Sequence, residues 1–396
     1  MSQERVPNVN HDQLKNHIKV SGRANKSLFI WGTFGVGKSV SVKETAKEMA
    51  KEKGRKFIEF NGSTDEEKRK VMENPEDYHL FVDIRLAELK PENIKGIPNL
   101  QSDYEATEWE PPVWAKMLCL DGISGTAFLD EANLASQSVQ SAAYKIILDR
   151  QVGTHKLSDK VNVVAAGNRA GKDRANVYDM SAPLRNRFLH VQLQIPSAGK
   201  DGSWIDWATD NGIHDYVIGF LGSPVGQEHL YEFGENNEDE QTIPTPRMWE
   251  FTSDLLKAES RELTPKRVRE LSATAVGQGV ANDFADFVKN QQSYDFEKLL
   301  DKPETVTDLK SENIGIKRSV MTGLASEWNK DPSEHQEAIM KISYEMKSEY
   351  GALLISQIKS YNEKKFKQLM YDDDIDQEVI EKVVNKYHEI IEGIDE

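Results

Sequence analysis

The chain has 396 residues, a formal net charge of −16, 38% apolar residues and 29% charged residues. That length argues for two or three domains with enough apolar material for real cores. The acidic balance argues against broad binding to nucleic acid, which needs clustered Lys and Arg, although it leaves room for a local basic channel.

In chain order, residues 1–26 are polar, with a weakly apolar stretch near Ile18 and Val20. Leu28-Phe29-Ile30-Trp31 then reads as a buried parallel strand. A helix is expected from Ser39 to Ala50, a strand over Phe57–Phe60, a charged helix over 64–73 and a strand over Leu80–Ile84. Pro91, Gly96 and Pro98 mark a loop. The acidic, Trp- and Pro-rich segment 99–118 has no clear assignment. Its Trp109 and Trp114, and the other tryptophans, default to buried core. Strands are expected over Thr126–Leu129, Val161–Ala166 and Leu189–Ile195, with a helix over 135–149 and a polar connection or hairpin over Gln151–Lys160. Strands alternating with helices predict a mostly parallel sheet covered on both faces. After residue 200 the pattern is helical, with an acidic loop at Glu235–Glu240. The last helix carries Val379, Ile380, Val383, Val384, Tyr387, Ile390 and Ile391 on one face, as for a helix packed on its own domain.

The single cysteine, Cys119, excludes an internal disulfide and fits a reducing compartment. No apolar run reads as a signal peptide or a membrane span, so a cytoplasmic location is expected. The nine histidines show no metal-ligand spacing.

Chemistry concentrates in five places. Gly32-Thr33-Phe34-Gly35-Val36-Gly37-Lys38-Ser39 fits G-x-x-x-x-G-K-[ST] between a strand and a helix. Its glycines let backbone N–H groups approach phosphates, and the helix N-terminus adds a favourable dipole. Lys38 can reach the β- and γ-phosphates, Ser39 can offer a hydroxyl to magnesium, and Val40 continues the nucleotide-binding stretch. Asp130, at the end of an apolar strand, can hold magnesium, and Glu131 can accept a proton from water. Asn168 can hydrogen-bond the attacking water or the γ-phosphate. Arg185 and Arg187 precede the last strand, and Arg247 opens a helix in the helical part. A guanidinium grips phosphate oxygens in a fork.

In this order, these motifs resemble those of an AAA+ ATPase. More narrowly, Val82–Leu86, Pro91–Pro98, Leu129–Asn133 and Ala142–Arg150 look like the MoxR-like branch. The resemblance covers residues 25–290. It implies an AAA+ P-loop α/β domain at 1–199 and a helical lid at 200–292; the helical C-terminal region at 293–396 lies beyond the resemblance and carries no recognised motif, so substrate or partner choice is expected to lie there. Lys38 and Ser39 match Walker A, Asp130 and Glu131 match Walker B, and Asn168 matches sensor 1. Arg187, with Arg185 as the less favoured candidate, matches the arginine finger that acts on the adjacent subunit, and Arg247 matches sensor 2. It further implies ATP and Mg2+ as cofactors and a homo-hexameric ring. The ring would act as a chaperone-like remodeller, with a possible partner carrying a von Willebrand factor A domain. Gln151–Lys160 falls where relatives with a β-hairpin before sensor 1 place it, either as a plain connection or as a pore-facing element, and the Lys90–Pro98 loop, between strand 80–84 and the Walker B strand, is a second candidate to face the pore or substrate. Two other readings are an AAA+ motor or loader acting on nucleic acid, which the charge disfavours, and a non-catalytic scaffold, which Glu131 and Asn168 disfavour.

Overall fold

The computed structural model describes residues 6–99, 108–169, 180–198, 203–233, 241–311, 314–361, 363–370 and 376–392. Two compact units divide the chain, Met1–Ile195 and Pro196–Glu396.

The first unit is an α/β layer structure. Its elements are β1 (Asn8–Val9), α1 (His11–Arg23), β2 (Leu28–Trp31), α2 (Lys38–Glu52), β3 (Lys56–Glu59), α3 (Asp65–Glu73) and β4 (Tyr78–Arg85). There follow α4 (Pro91–Lys95), β5 (Ile97–Asn99), β6 (Glu108–Glu110), α5 (Val113–Leu118), β7 (Ser124–Asp130) and α6 (Gln137–Leu148). The unit closes with β8 (Gln151–Val152), β9 (His155–Lys156), β10 (Val161–Gly167), α7 (Ala182–Arg185) and β11 (Leu189–Leu193). Seven strands form one sheet in the order β1-β11-β2-β10-β7-β4-β3, every pair parallel. Successive strand residues face opposite layers. Phe29, Ala127, Leu129, Val163 and Ala165 share a core with Ala115 of α5 and Ala142 and Ile146 of α6. The alternate residues Leu28, Ile30, Phe128, Val164 and Ala166 are buried too, and α1 and α2 lie against the sheet at β10. Both faces are therefore covered, which is why these strands read as continuous apolar runs. This is the α/β P-loop fold expected from the sequence.

Three local features differ from the sequence reading. The polar N-terminal stretch holds α1, whose signal was a capping box at Asn10 and Gln13 with Leu14, Ile18 and Ser21 buried one helical turn apart. The expected loop at 90–98 starts as α4, because Pro91 suits the first helical position and Asn93 Oδ1 accepts from Lys90 N at 2.9 Å. Gly96, at φ +91, then turns the chain into β5, which pairs antiparallel with β6. Trp109 on β6 is 42% exposed rather than core. Trp114 is partly buried against the first core. Gln151–Lys160 does contain a hairpin, β8 with β9.

The described residues of the second unit form helices joined by turns and loops, with no strand. Its helices are α8 (Ser203–Asp210), α9 (Asp215–Gly222), α10 (Pro246–Ala258), α11 (Pro265–Val276), α12 (Gln278–Gln292) and α13 (Phe296–Asp301). They continue with α14 (Ile314–Lys330), α15 (Pro332–Glu345), α16 (Ser348–Tyr361), α17 (Glu363–Met370) and α18 (Gln377–Glu392). One apolar cluster runs from Ala198 to Ile391, built on fully buried Trp249, Trp328, Phe220, Phe284 and Phe366. The indoles are also polar-satisfied: Trp249 Nε1 donates to His229 O at 2.7 Å and Trp328 Nε1 to Gln336 Oε1 at 2.6 Å. The acidic loop at 235–240 lies outside the described residues.

Helix α18 packs on its own unit. Ile380, Val383, Tyr387 and Ile391 join the cluster, and Tyr387 Oη donates to Ser343 O at 2.8 Å. Gly351 on α16 makes this approach possible: a Cβ there would lie 2.0 Å from Tyr387 Oη and 2.2 Å from Ser343 O. Gly351→Ala is expected to lower unfolding stability by about 1–3 kcal/mol, read by urea denaturation. An unchanged midpoint would mean that α18 is not docked this tightly.

Candidate functional site

The candidate residues of the first unit sit at the carboxyl ends of adjacent strands. In parallel α/β sheets, ligands bind beyond those ends, where the strand order reverses. β2 is such a point, since the chain leaves it for β3 on one side and returns to β11 on the other. The phosphate loop leaves β2 at Gly32. Gly35 and Gly37 hold φ of +73° and +89°, a conformation in which a Cβ is strained. Gly37 is the N-cap of α2, so Lys38 and Ser39 open the helix. No acid lies in the first turn of α2, whereas the first turn of α3 holds Asp65, Glu66 and Glu67. An anion at the start of α2 therefore meets the helix dipole with no carboxylate opposing it in that turn.

Four of the expected groups form two hydrogen-bonded pairs, carried on consecutive residues of the loop. Lys38 Nζ donates to Gly32 O at 2.7 Å, to Thr33 O at 2.8 Å and to Asn168 Oδ1 at 3.2 Å. Ser39 Oγ donates to Asp130 Oδ2 at 2.8 Å. Glu131 follows at φ +54, and its N–H donates to Asp130 Oδ1 at 2.8 Å. A non-glycine residue in the left-handed region costs about 1–2 kcal/mol, and here it turns the chain sharply at the strand tip.

Two positioning residues escaped the sequence reading. Asn133, buried, grips the backbone of Asn168 from both sides: its Nδ2 donates to Asn168 O at 2.7 Å, and its Oδ1 accepts from Asn168 N at 3.1 Å. Gly167 makes room, since a Cβ there would lie 2.3 Å from Asn133 Oδ1. Ala132 N donates to Ala166 O at 2.9 Å, so the chain after the two acids stays bonded to β10. The only signal for Asn133 was its place two residues after Glu131. The second is His11 at the start of α1. Its Nε2 lies 2.9 Å from Val36 O, so that nitrogen carries the proton and donates, and burial lowers its pKa. It steadies the loop beside Gly37.

The donor set fits a triphosphate with magnesium. The carbonyls that hold Lys38 are acceptors that phosphate oxygens can replace. A hydroxyl and a carboxylate in mutual contact are two hard oxygen donors, and magnesium is usually held by one or two such groups with phosphates and water. The described residues contain no group of three or more His, Cys, Asp or Glu placed to hold a metal. When bound, the ion would neutralise charge on the β- and γ-oxygens. His79, in the sheet, is a satisfied core residue between Ser124 Oγ (2.9 Å) and Thr126 Oγ1 (3.1 Å), with burial pushing its pKa down to about 3. Burial likewise pushes the Cys119 thiol up to about 11, away from nucleophilic use.

The arginines are placed separately. Arg185 is exposed at the end of α7. Arg187 is half-buried, with its guanidinium carbon 4.7 Å from the Tyr144 ring centroid and Nη1 donating to Pro183 O at 2.7 Å. Arg247 is exposed in the first turn of α10, in the second unit, on a helix capped by Thr245 and anchored by Trp249. Among the described residues, no helix is long and apolar enough to cross a membrane.

No family model matches the sequence, and no curated protein matches it either. Solved structures do resemble it. One is NtrX from Brucella abortus, at 13% identity and TM-score 0.32, covering 90% of this chain and 67% of that one. Another is a DNA polymerase III gamma subunit-related protein from Thermotoga maritima, at 11% identity and TM-score 0.28, covering 97% and 94%. A third is the Thermotoga maritima RuvB Holliday junction branch migration motor, at 12% identity and TM-score 0.29, covering 81% and 87%. At these TM-scores the likenesses carry no argument, and the site stands on its own geometry.

Two outcomes follow from this geometry. Asn133→Ala strands both backbone groups of Asn168 and should cost about 1–3 kcal/mol in urea unfolding; a loss below a few tenths would show that the clamp does not matter. Asp83, on β4, has a buried Oδ1 with no partner among the described residues. Burial, reinforced by the charge of Asp130, pushes its carboxyl from 3.8 up to about 6. Its contribution to stability is thus full below pH 4 and lost as pH rises through 6. Asp83→Asn should therefore gain on the parent between pH 4 and 7 by on the order of 1–2 kcal/mol, allowing for partial exposure. Parallel stability–pH curves would contradict that.

Proposed function

We propose that this chain is an ATP-hydrolysing AAA+ protein of the MoxR-like kind, working as a homo-oligomeric ring that remodels a protein partner. The observation that carries the ATPase part is that consecutive Lys38 and Ser39 bond Asn168 and Asp130, respectively, at the carboxyl ends of the neighbouring strands β2, β10 and β7, with Glu131 beside them. Residues of this kind gathered at one end of a sheet divide the work of phosphoryl transfer to water. Lys38 and the loop N–H groups hold the phosphates, and Ser39 and Asp130 hold magnesium. Glu131 orients water or takes its proton, and Asn168 keeps water and γ-phosphate aligned. Gly32–Val40 contact the nucleotide, and Arg247 of the proposed lid, residues 200–292, supplies a further cation to it.

The ring, its size and its partner rest on the resemblance. Arg187 is assigned the trans role. In the single chain it rests over Tyr144, a cation–π contact worth about 1 kcal/mol that a neighbour's triphosphate would readily outbid. What supports a protein substrate is the exposure of Ile97 and Trp109 on the β5–β6 pair and of Val113 just beyond it, three apolar side chains open to a partner. A von Willebrand factor A domain partner and a cytoplasmic location remain part of this reading.

The test is ATP turnover by the full chain. Glu131→Gln should bind ATP with affinity within about threefold of the parent and lose at least about 100-fold in kcat. Arg187→Ala should abolish turnover with binding kept. Hydrolysis lost through Arg185→Ala instead would move the trans role there, and hydrolysis unchanged by Glu131→Gln would reject the base assignment. Steep, salt-sensitive stimulation by DNA or RNA would favour a nucleic-acid motor over a protein remodeller.

A further inference from the structure

Between β2 and the arginine-bearing turn lies a group of side chains that neither the phosphate loop nor the arginines themselves require. Trp31 is the last residue of β2, directly before Gly32. Its Nε1–H donates to His190 Nδ1 at 3.1 Å. An indole N–H can only donate, so Nδ1 bears no proton, and the neutral ring carries its hydrogen on Nε2. That nitrogen lies 2.8 Å from Arg185 O and donates to it. The same carbonyl accepts from Phe188 N at 3.2 Å, so it is held from two sides.

Aromatic packing fixes the line of these bonds. The Trp31 and His190 rings stack at 25° with centroids 6.1 Å apart. Phe29 meets Trp31 at 4.4 Å, and meets Phe188 edge-on at 5.3 Å. The parallel pairing of β11 with β2 sets His190 opposite Phe29 and Gln192 opposite Trp31. A neutral histidine with an acceptor at one end and a donor at the other thus joins the strand that feeds the phosphate loop to the turn that carries Arg185 and Arg187.

We propose that Trp31 and His190 form a relay by which the state of the phosphate loop in one subunit sets the posture of that subunit's Arg185–Phe188 turn, and so the hydrolysis rate at its neighbour's site. The proposal rests on the shared-site ATPase reading above. Its starting point is Lys38, which in this structure bonds Gly32 O and Thr33 O. A phosphate that draws the ammonium away frees the Gly32 carbonyl, which belongs to the Gly32–Thr33 peptide and lies one residue after Trp31, the residue that makes the first relay bond. His190 is a positioning residue: it touches neither phosphate nor water, and acts through the Arg185 carbonyl.

Intermediacy in space does not demonstrate coupling, whereas a double-mutant cycle measures it. Trp31→Phe keeps a ring and removes the N–H. His190→Phe keeps a ring and removes both bonds. Each single variant of the full chain should lower kcat about three- to tenfold, as expected for one well-aligned hydrogen bond, with ATP affinity within about twofold. The double variant should be no slower than the slower single, because both changes break one relay. Effects that multiply in the double variant, or singles equal to the parent, overturn the relay. Should His190→Phe not fold, Trp31→Phe carries the kcat comparison alone, and an unchanged kcat there is equally fatal. A mixing experiment separates a neighbour effect from local damage. Glu131→Gln subunits bind ATP without hydrolysing it and keep Lys38, Trp31 and His190, so their arginine turn is set as in the parent and adding them to His190→Phe subunits should restore turnover. No recovery would place the defect within the subunit's own site and overturn the proposal. The parent chain is assayed in parallel. Absence of hydrolysis there overturns the ATPase reading and the relay with it, whereas normal hydrolysis with unaffected variants overturns the relay alone.

Discussion

Everything at the candidate site depends on the register of β10 between β2 and β7. Gly167 lies opposite Trp31, and Ala165 lies opposite Leu129. That alignment brings three strand ends level, so the residues just beyond them, the phosphate loop, Asp130 and Asn168, fall within hydrogen-bonding reach. A slip of one residue would turn every side chain of β10 to the opposite layer. The burial of Val163 and Val164 on opposite faces, each against its own helical layer, resists that slip. The Asn133 clamp and the Ala132–Ala166 bond pin the same register from the loop side. The packing that makes the fold and the bonds that make the site therefore enforce one arrangement.

How far this was legible in the sequence depended on the range of each signal. The strands of the sheet are apolar runs because they are buried on both faces, and a run of four to seven residues carries that information locally. The phosphate loop is local too. Its glycines, lysine and serine all lie within eight residues, and the structure gives them the conformations that their types imply. Asn133 and His190 gave no such signal. Each earns its role from a partner far along the chain, Asn168 for one and Trp31 for the other, and nothing adjacent to them in sequence reports that partner. α1 was hidden by its polar average, since only Leu14, Ile18 and Ser21 turn inward on an otherwise charged surface. Trp109 misled for the opposite reason: large aromatics default to the interior, and a short exposed hairpin overrides that default.

Charge poses a further problem that the structure solves locally. On the proposed reading, a chain of net charge −16 must still gather a polyanion. The local means for it are a first turn of α2 free of acids and Lys38 placed inside the loop. The cost appears at Asp83, which shares the sheet edge with Asp130 and whose carboxyl is driven towards neutrality by burial and by that neighbour. A cation held at Asp130 would relieve the repulsion, so ion and carboxyl are linked even where they do not touch.

Gly167 and Asn133 also bear on how such sequences can drift. The absent side chain at one position is filled by the amide of the other, with 2.3 Å between a hypothetical Cβ and Oδ1. Position 167 is therefore not free to enlarge alone, and a Cβ there would also lie 2.8 Å from Phe29 Cζ. Any lineage that enlarges residue 167 must shorten residue 133, find another way to hold the backbone of Asn168 and shift the Phe29 ring, a coupled change limited by volume on one side and by hydrogen bonding on the other.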